Sequence, residues 1–331
     1  MYKFTHVNAT SIDDAATKLA GGSAQVIAGG TDLMTYMKGM CSPNPPTTLV
    51  NIKTISPSMD YIKVEGGTLK IGALTTLTEI AGSTDVQNGW TVLAQAAQAA
   101  ASPELRNHGT IGGNICQRPR CIYYRNEQNA FNCLRKDPTG ICYALIGVNT
   151  YHSIYGADGG CIAVCPSDTA PALVALGASI VTNKQTWAAA DFFAPNISAN
   201  DATREQINAL AAGEIVTEIQ VPALDSGTKS AYQKFAFRKA IDFPLVSCAA
   251  VITASGGNVT KASIVLGGVY NTPRRATDAE DSITGKAINT ANAEAAGDAT
   301  ATKAKPTALP QNLYKVQIAR TMIKRALLAV A

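Results

Sequence analysis

The chain lacks any run of 18 or more apolar residues, which argues against a transmembrane helix. It also lacks a long Lys/Arg run. With 28 basic and 24 acidic residues the net charge is only +4, so the electrostatic footprint of a nucleic-acid binder is missing. The opening MYKFTHVNATSIDDAATKLA has no charged segment followed by an apolar one; it reads as the start of the fold, not as a signal peptide. Only three histidines occur, His6, His108 and His152. None belongs to H-E-x-x-H or to a recognisable nucleophile motif. No G-x-G-x-x-G, Walker A or compact C-x2-C pattern is present, and no internal repeat is evident. What is present is a folded, soluble composition, 46% apolar and 16% charged, over 331 residues, a length that calls for two to three domains.

The first fifty residues read as a small α/β unit. Ser11 can cap a helix over SIDDAATKLA, with Asp13 and Asp14 in its first turn. A strand over residues 25–28 runs into two glycines and a helix from Asp32, and TTLVNIKTI is a second strand. YIKVEGGTLKIGAL suits a hairpin turning at Gly66 and Gly67, residues 91–101 a packed alanine-rich helix, and CIAVCPSDTAPALVALGASIVTN a helix and strand. EIVTEIQVP is a strand ending at Pro222, and ALDSGTKS reads as a linker at a domain boundary. Beyond it AYQKFAFRK, LVSCAAVITA and VTKASIVLGGV are strands. In the tail, Leu313, Val316, Ala319, Ile323 and Leu327 recur at helical spacing, with Lys315, Arg320, Lys324 and Arg325 mostly off that face. KAINTANAEAAGDATATKAKPTALP suits a helix and a loop.

Residues 106–161, together with AGGTDL at residues 28–33, carry the chemistry. AGGTDL and GTIGGN each set glycines ahead of a helix, where backbone N–H groups can turn toward an anion, pyrophosphate especially. A tight strand-to-helix turn explains AGGTDL equally well on its own. Six of the eight cysteines fall between Cys116 and Cys165; Cys41 and Cys248 stand alone as buried small hydrophobes. Cys121, Cys133, Cys142 and Cys161 are separated by 11, 8 and 18 residues, a weak pattern by itself. Arg118, Arg120, Arg125, Arg135 and Lys136 lie close to them, cations that would stabilise a negatively charged four-thiolate centre and raise its potential; ordinary surface cations on a loop fit too. Metal ligation would order this long irregular stretch.

AGGTDL, IGALTTLTEI, RNHGTIGGNI and SDTAPALVALGA, in that order, resemble the flavin-binding subunit of the xanthine dehydrogenase family of molybdenum hydroxylases. KFAFRKAIDFPLVS and VLGGVYNTPRRA resemble that family's C-terminal domain, so the likeness spans almost the whole chain. It implies an α+β protein. A two-part FAD-binding domain of the vanillyl-alcohol-oxidase (PCMH) type over residues 1–222, a small α/β unit plus a larger mixed one, is followed by a C-terminal domain of antiparallel sheet with helices over 229–331. It further implies FAD contacts from Val26, Ile27, Ala28, Gly29, Gly30, Thr31, Asp32 and Leu33, and from Thr110, Ile111, Gly112, Gly113 and Asn114. Asp168, Val216 and Lys234 match family residues near the cofactor. Read without the resemblance, Asp168 is a helix N-cap, a role Ser167 also fits, and Lys234 is solvated surface.

One branch of the family, similar to periplasmic aldehyde oxidoreductase and to 4-hydroxybenzoyl-CoA reductase, carries a [4Fe–4S] cluster in an insertion at residues 117–161. GNICQRPRCIYYR, FNCLRKDPTGICYAL and CIAVCPSD resemble the aldehyde oxidoreductase. The implied ligands are Cys121, Cys133, Cys142 and Cys161, with Cys165 the alternative fourth; Cys116 and Cys165 are otherwise packed free thiols. The implied role is electron transfer in a heterotrimer with a molybdopterin-binding large subunit and a [2Fe–2S] small subunit. Substrate oxidation takes place on the partner, and electrons pass from FAD to an external acceptor. Location is periplasmic by co-export with a partner, or cytoplasmic. A benzoyl-CoA-type reductase subunit, a stand-alone flavin reductase of the same fold and a zinc-binding scaffold are the alternatives.

Overall fold

Ser11 Oγ accepts from Asp14 N at 3.1 Å and starts helix Ile12–Leu19, with Asp13 and Asp14 in its first turn as expected. The structure, a computed structural model, describes residues 1–137, 139–193, 208–306 and 310–331. The helix packs on a three-stranded parallel sheet in which Thr48–Asn51 lies between Thr5–Asn8 and Ala24–Ile27. Helix Leu33–Lys38 follows the strand Ala24–Ile27 immediately, so the backbone between them must turn within the AGGTD loop.

The larger unit is a five-stranded antiparallel sheet, ordered Ile62–Glu65, Thr68–Gly72, Val216–Val221, Ser179–Thr182, Thr186–Ala188. Gly66 and Gly67 make its first hairpin with φ of +57° and +79°, the left-handed values that a two-residue turn demands. Leu69, Ile71, Ile180, Ile219 and Val221 are fully buried on the face covered by helices Thr91–Ala99 and Thr169–Ala175.

The C-terminal sheet is antiparallel, ordered Arg274–Arg275, Asn258–Gly267, Val246–Ser255, Thr228–Phe235. Val246–Ser255 is buried on both faces, which is why its sequence is almost continuously apolar. Ala249 and Val251 join the core of the larger unit, whereas Cys248, Ala250 and Ile252 pack against helix Tyr314–Leu328. The segment read as a linker over 223–230 is already strand from Thr228. Ser230 Oγ accepts from Val92 N at 3.2 Å and Tyr232 N donates to Gln95 Oε1 at 2.7 Å, so polar TKS reads as linker only until its partners are seen.

Helix Thr290–Ala301 forms where expected, and residues 307–309 of the loop assigned after it lie outside the described residues. In the last helix Ala319, Ile323 and Leu327 are buried as expected, but Leu313 is 54% exposed and Lys315 is fully buried. Lys315 Nζ donates to Tyr151 O (3.2 Å), His152 O (2.9 Å) and Gly268 O (2.6 Å). It therefore staples the end of the cysteine-bearing insertion to the C-terminal domain, a role that helical periodicity does not reveal. Ile154 N to Val269 O (3.0 Å) and Asn312 Nδ2 to Ser153 O (2.6 Å) hold the same seam. Lys315→Met should remove a donor from three carbonyls, of which His152 O keeps Asn312 Nδ2 at 3.3 Å, and cost on the order of 3 kcal/mol. Thermal unfolding checks this; an unchanged Tm would mean that the ammonium is dispensable.

Candidate functional site

The two glycine motifs meet. A Cβ on Gly29 would lie 1.9 Å from His108 O, so the AGGTD loop crosses the backbone ahead of GTIGGN at a distance only glycine permits. Gly112 is held likewise: its Cβ would stand 2.8 Å from Ala73 O, and its N–H donates to that oxygen at 3.0 Å. Both glycines thus serve chain packing as well as any ligand. Thr110 caps helix Ile111–Ile115 by accepting from Gly113 N at 3.1 Å.

Between these loops opens a cavity of about 680 Å³, inside the ~300–1,000 Å³ range of cofactor pockets. Of the residues singled out in the sequence, Val26, Ile27, Ala28, Gly29, Gly30, Thr31, Asp32, Leu33, Thr110, Gly112, Gly113, Asn114, Asp168 and Val216 line it. Ile111 does not; it is fully buried in the main core. Lys234 does not line it either. The sequence reading missed Arg118, Arg120, Ile241 and Phe243 at the same cavity. Ile241 has φ +67°, a left-handed value that is a strained exception for a β-branched residue, and its N–H donates to Ala101 O at 3.0 Å. Only the fold brings this loop to the cavity.

Asp168 is not the side-chain cap of helix Thr169–Ala175. Ser167 Oγ accepts from Ala170 N at 3.0 Å, and Asp168 instead accepts from Tyr232 Oη at 2.6 Å and Lys234 Nζ at 2.9 Å. Burial pushes the Asp168 pKa up, against the pull of Lys234 and Tyr232. Lys234 is far from solvated surface: its ammonium also donates to Ala99 O at 2.9 Å. Asn114 Oδ1 accepts from Ser167 Oγ (2.6 Å) and Thr169 Oγ1 (2.7 Å), coupling the glycine helix to the same region.

Asp32 faces the insertion. Its carboxylate accepts from Arg118 N at 2.9 Å and pairs with Arg120 Nη2 at 2.9 Å and Arg125 Nη2 at 2.5 Å. Burial alone would raise its pKa, but the two guanidinium groups bring it below the ordinary 3.8. Arg118 and Arg125 also lie over the Tyr36 ring, and Arg120 over Phe243.

Within the insertion Cys121 packs with Cys133 beneath Tyr36 and Tyr124, and with Cys142 and Cys161 beside Leu134 and Ala163. Arg135 Nε donates to Cys161 Sγ at 3.0 Å, and His152 Nε2 lies 3.2 Å from Cys121 Sγ. Burial pushes the Cys121 thiol up to about 12, against amide hydrogen bonds from Tyr124 and Tyr123, and burial raises Cys133 and Cys142 as well. Cys165 and Cys116 pack against the main core, and burial pushes them up to about 11 and about 12. Among the described residues, no three His, Cys, Asp or Glu side chains converge closely enough to hold a single metal ion. A tetrahedral zinc with ~2.3 Å bonds needs sulfurs about 3.8 Å apart, whereas a four-iron cluster spreads its ligands more widely.

Residues 2–224 match the family described as FAD binding domain in molybdopterin dehydrogenase, and residues 230–330 match the CO dehydrogenase flavoprotein C-terminal domain. The chain belongs to this family. It is 33% identical over 310 residues to the aldehyde oxidoreductase FAD-binding subunit PaoB of Escherichia coli (strain K12), covering 92% of this chain and 90% of that one. It is 29% identical to the carbon monoxide dehydrogenase medium chain of Hydrogenophaga pseudoflava, over 98% and 96% of the two chains. The solved carbon monoxide dehydrogenase from that organism, lacking the Mo-pyranopterin moiety, superposes with a TM-score of 0.75 at 28% identity, covering 99% of this chain and 97% of that one. The chain is therefore an FAD-binding oxidoreductase subunit with the α+β architecture of a medium chain. Among the described residues no helix is long and apolar enough to cross a membrane.

The cavity fits FAD. Its wall carries backbone from both glycine motifs and apolar side chains such as Leu77 and Val216, while Arg118 and Arg120 supply positive charge at one side. Gly29→Ala should force the crossing loops apart and weaken FAD binding at least about tenfold, roughly 1.4 kcal/mol; flavin absorbance per chain after gel filtration reads this directly. Asp32→Asn should cost on the order of 3 kcal/mol by leaving two largely buried arginines uncompensated. Because the folded pKa of Asp32 is lowered, its stabilisation is present above the ordinary 3.8 and is lost as pH falls through the folded value. Chemical denaturation across pH 2–5 should therefore show a flatter acid limb in the variant than in the parent.

Proposed function

We propose that this chain is the flavin-bearing electron-transfer subunit of a heteromeric molybdenum hydroxylase that oxidises aldehydes, and that its insertion carries a [4Fe–4S] cluster on Cys121, Cys133, Cys142 and Cys161. The carrying observation is that these four thiols, scattered over forty-one positions, lie together in one folded insertion whose first arginines pair with Asp32 of the flavin loop. Ala163 N donates to Cys161 Sγ at 3.4 Å, and backbone amides of Tyr123, Tyr124, Arg135, Ala144, Leu145 and Ile162 favour the thiolate forms of Cys121, Cys133 and Cys142, a setting that suits iron–sulfur ligation. The 33% identity to an aldehyde oxidoreductase subunit supports the aldehyde reading over the benzoyl-CoA-type alternative.

In this reading, Val26 to Leu33 and Thr110 to Asn114 hold FAD, and Asp168 and Val216 stand at the cavity wall. Lys234 acts through Asp168, holding that carboxylate in position from behind. Bound FAD supplies exchange of one or two electrons; the chain's residues bind and orient it and exclude water. The partners are a molybdopterin-binding large subunit and a [2Fe–2S] small subunit. Substrate oxidation belongs to the large subunit, and an external acceptor takes the electrons from the flavin. The complex works in the periplasm after co-export, or in the cytoplasm.

Visible absorption with iron and acid-labile sulfide assays tests this on the purified protein. Cys142→Ser should remove iron and sulfide while FAD stays bound. A parent protein that is colourless and holds zinc without flavin would overturn the reading, and iron unchanged in Cys142→Ser would overturn the ligand assignment.

A further inference from the structure

Five cations lie along the insertion, and their partners separate them. Arg120 and Arg125 are paired with Asp32, and the Arg118 guanidinium donates to Gln25 Oε1 at 2.8 Å. Lys136 Nζ donates to Cys41 O at 2.6 Å and Asn129 Oδ1 at 2.8 Å. Arg135 reaches one of the four thiols. It is 2% exposed, and its Nε stands 3.0 Å from Cys161 Sγ. Asp158 feels the Arg135 charge, which pulls its pKa down against the larger effect of burial. A largely desolvated guanidinium bonded to a sulfur contributes a fixed charge in a low-dielectric setting, where it acts strongly on any change of charge at that sulfur.

We infer that Arg135 is the residue that sets the reduction potential of the centre held by the four cysteines, through its charge-assisted hydrogen bond to Cys161. The inference rests on the cluster reading above. Reduction adds one electron and one negative charge to the thiolate-bound centre and no proton. A buried cation in contact with a ligand sulfur stabilises the reduced form more than the oxidised one and raises the potential. Arg118, Arg120 and Arg125, engaged with Gln25 and Asp32 at the flavin loop, contribute less, although they are equally close in sequence. Cys161 is thereby the sulfur that accepts a guanidinium hydrogen bond, whereas Lys136 acts on Cys133 by charge and Cys121 faces the His152 ring.

The test is potentiometric titration of the dithionite-reducible cluster, followed by EPR, on the purified full-length protein with its partners. Parent, Arg135→Gln and Arg135→Lys are compared, with iron and sulfide counted in each. Arg135→Gln should retain iron and show at least a tenfold fall in the reduced-to-oxidised ratio at fixed ambient potential, about 59 mV for a one-electron couple. Arg135→Lys should recover part of that fall. Loss of iron in the Gln variant with retention in the Lys variant would support the same charge requirement at assembly. An unchanged potential in an iron-replete Gln variant overturns the inference, as does loss of iron from both variants, which would make Arg135 a folding residue. A parent protein without iron or sulfide defeats the cluster reading itself, an outcome that the parent assay alone identifies.

Discussion

Asp32 is the point on which the two halves of the site depend. It closes the glycine loop at the cavity, yet its carboxylate points its charge into the insertion, collecting an amide and two guanidinium groups. A carboxylate this largely buried survives ionised only because those donors are there, and the arginines in turn would be costly to bury without it. Glycine loop and insertion therefore cannot be ordered independently. The stacked Tyr36 and Tyr124, one on the helix after the glycine loop and the other in the insertion, continue the same contact in apolar form.

A second dependence runs the other way along the chain. Lys315 in the last helix and Asn312 just before it bind carbonyls at the end of the insertion, so the C-terminal domain fixes the far side of the loop that Asp32 fixes on the near side. The C-terminal sheet is not a separate body appended to the flavin domain. Ala249 and Val251 on one face of Val246–Ser255 belong to the core of the larger unit, and the residues alternating with them belong to the core of the terminal helices. One strand closes two cores, which leaves little freedom for hinge motion at the boundary.

Charge is distributed unevenly between the glycine-lined cavity and the four clustered cysteines. Most of the basic residues of the insertion serve the flavin side, and the thiol side is left with one buried guanidinium and a shell of amide donors. Sequence proximity had grouped all five cations around the cysteines. Side-chain reach redistributes them: Arg120 and Arg125 flank Cys121 in sequence but extend to Asp32, and the Arg118 guanidinium extends to Gln25, all in the first α/β unit.

Local chemistry was enough to read the Ser11 cap, the Gly66 and Gly67 hairpin, the strand leading into AGGTDL and the burial of Ala319, Ile323 and Leu327 in the last helix, because each is a matter of periodicity or of one residue's backbone preference. The glycine motifs and their order were also sufficient to recognise the family. What the sequence could not decide was which groups share a partner. Whether Asp168 caps a helix or meets Tyr232 and Lys234, whether Lys315 is solvated or stapled to three carbonyls, and whether Ile241 and Phe243 reach the cavity depend on contacts between segments distant in the chain. Those contacts carry no local signature, since a buried lysine and an exposed one have the same neighbours in sequence. Only tertiary packing, by removing water and choosing the replacement partner, tells them apart.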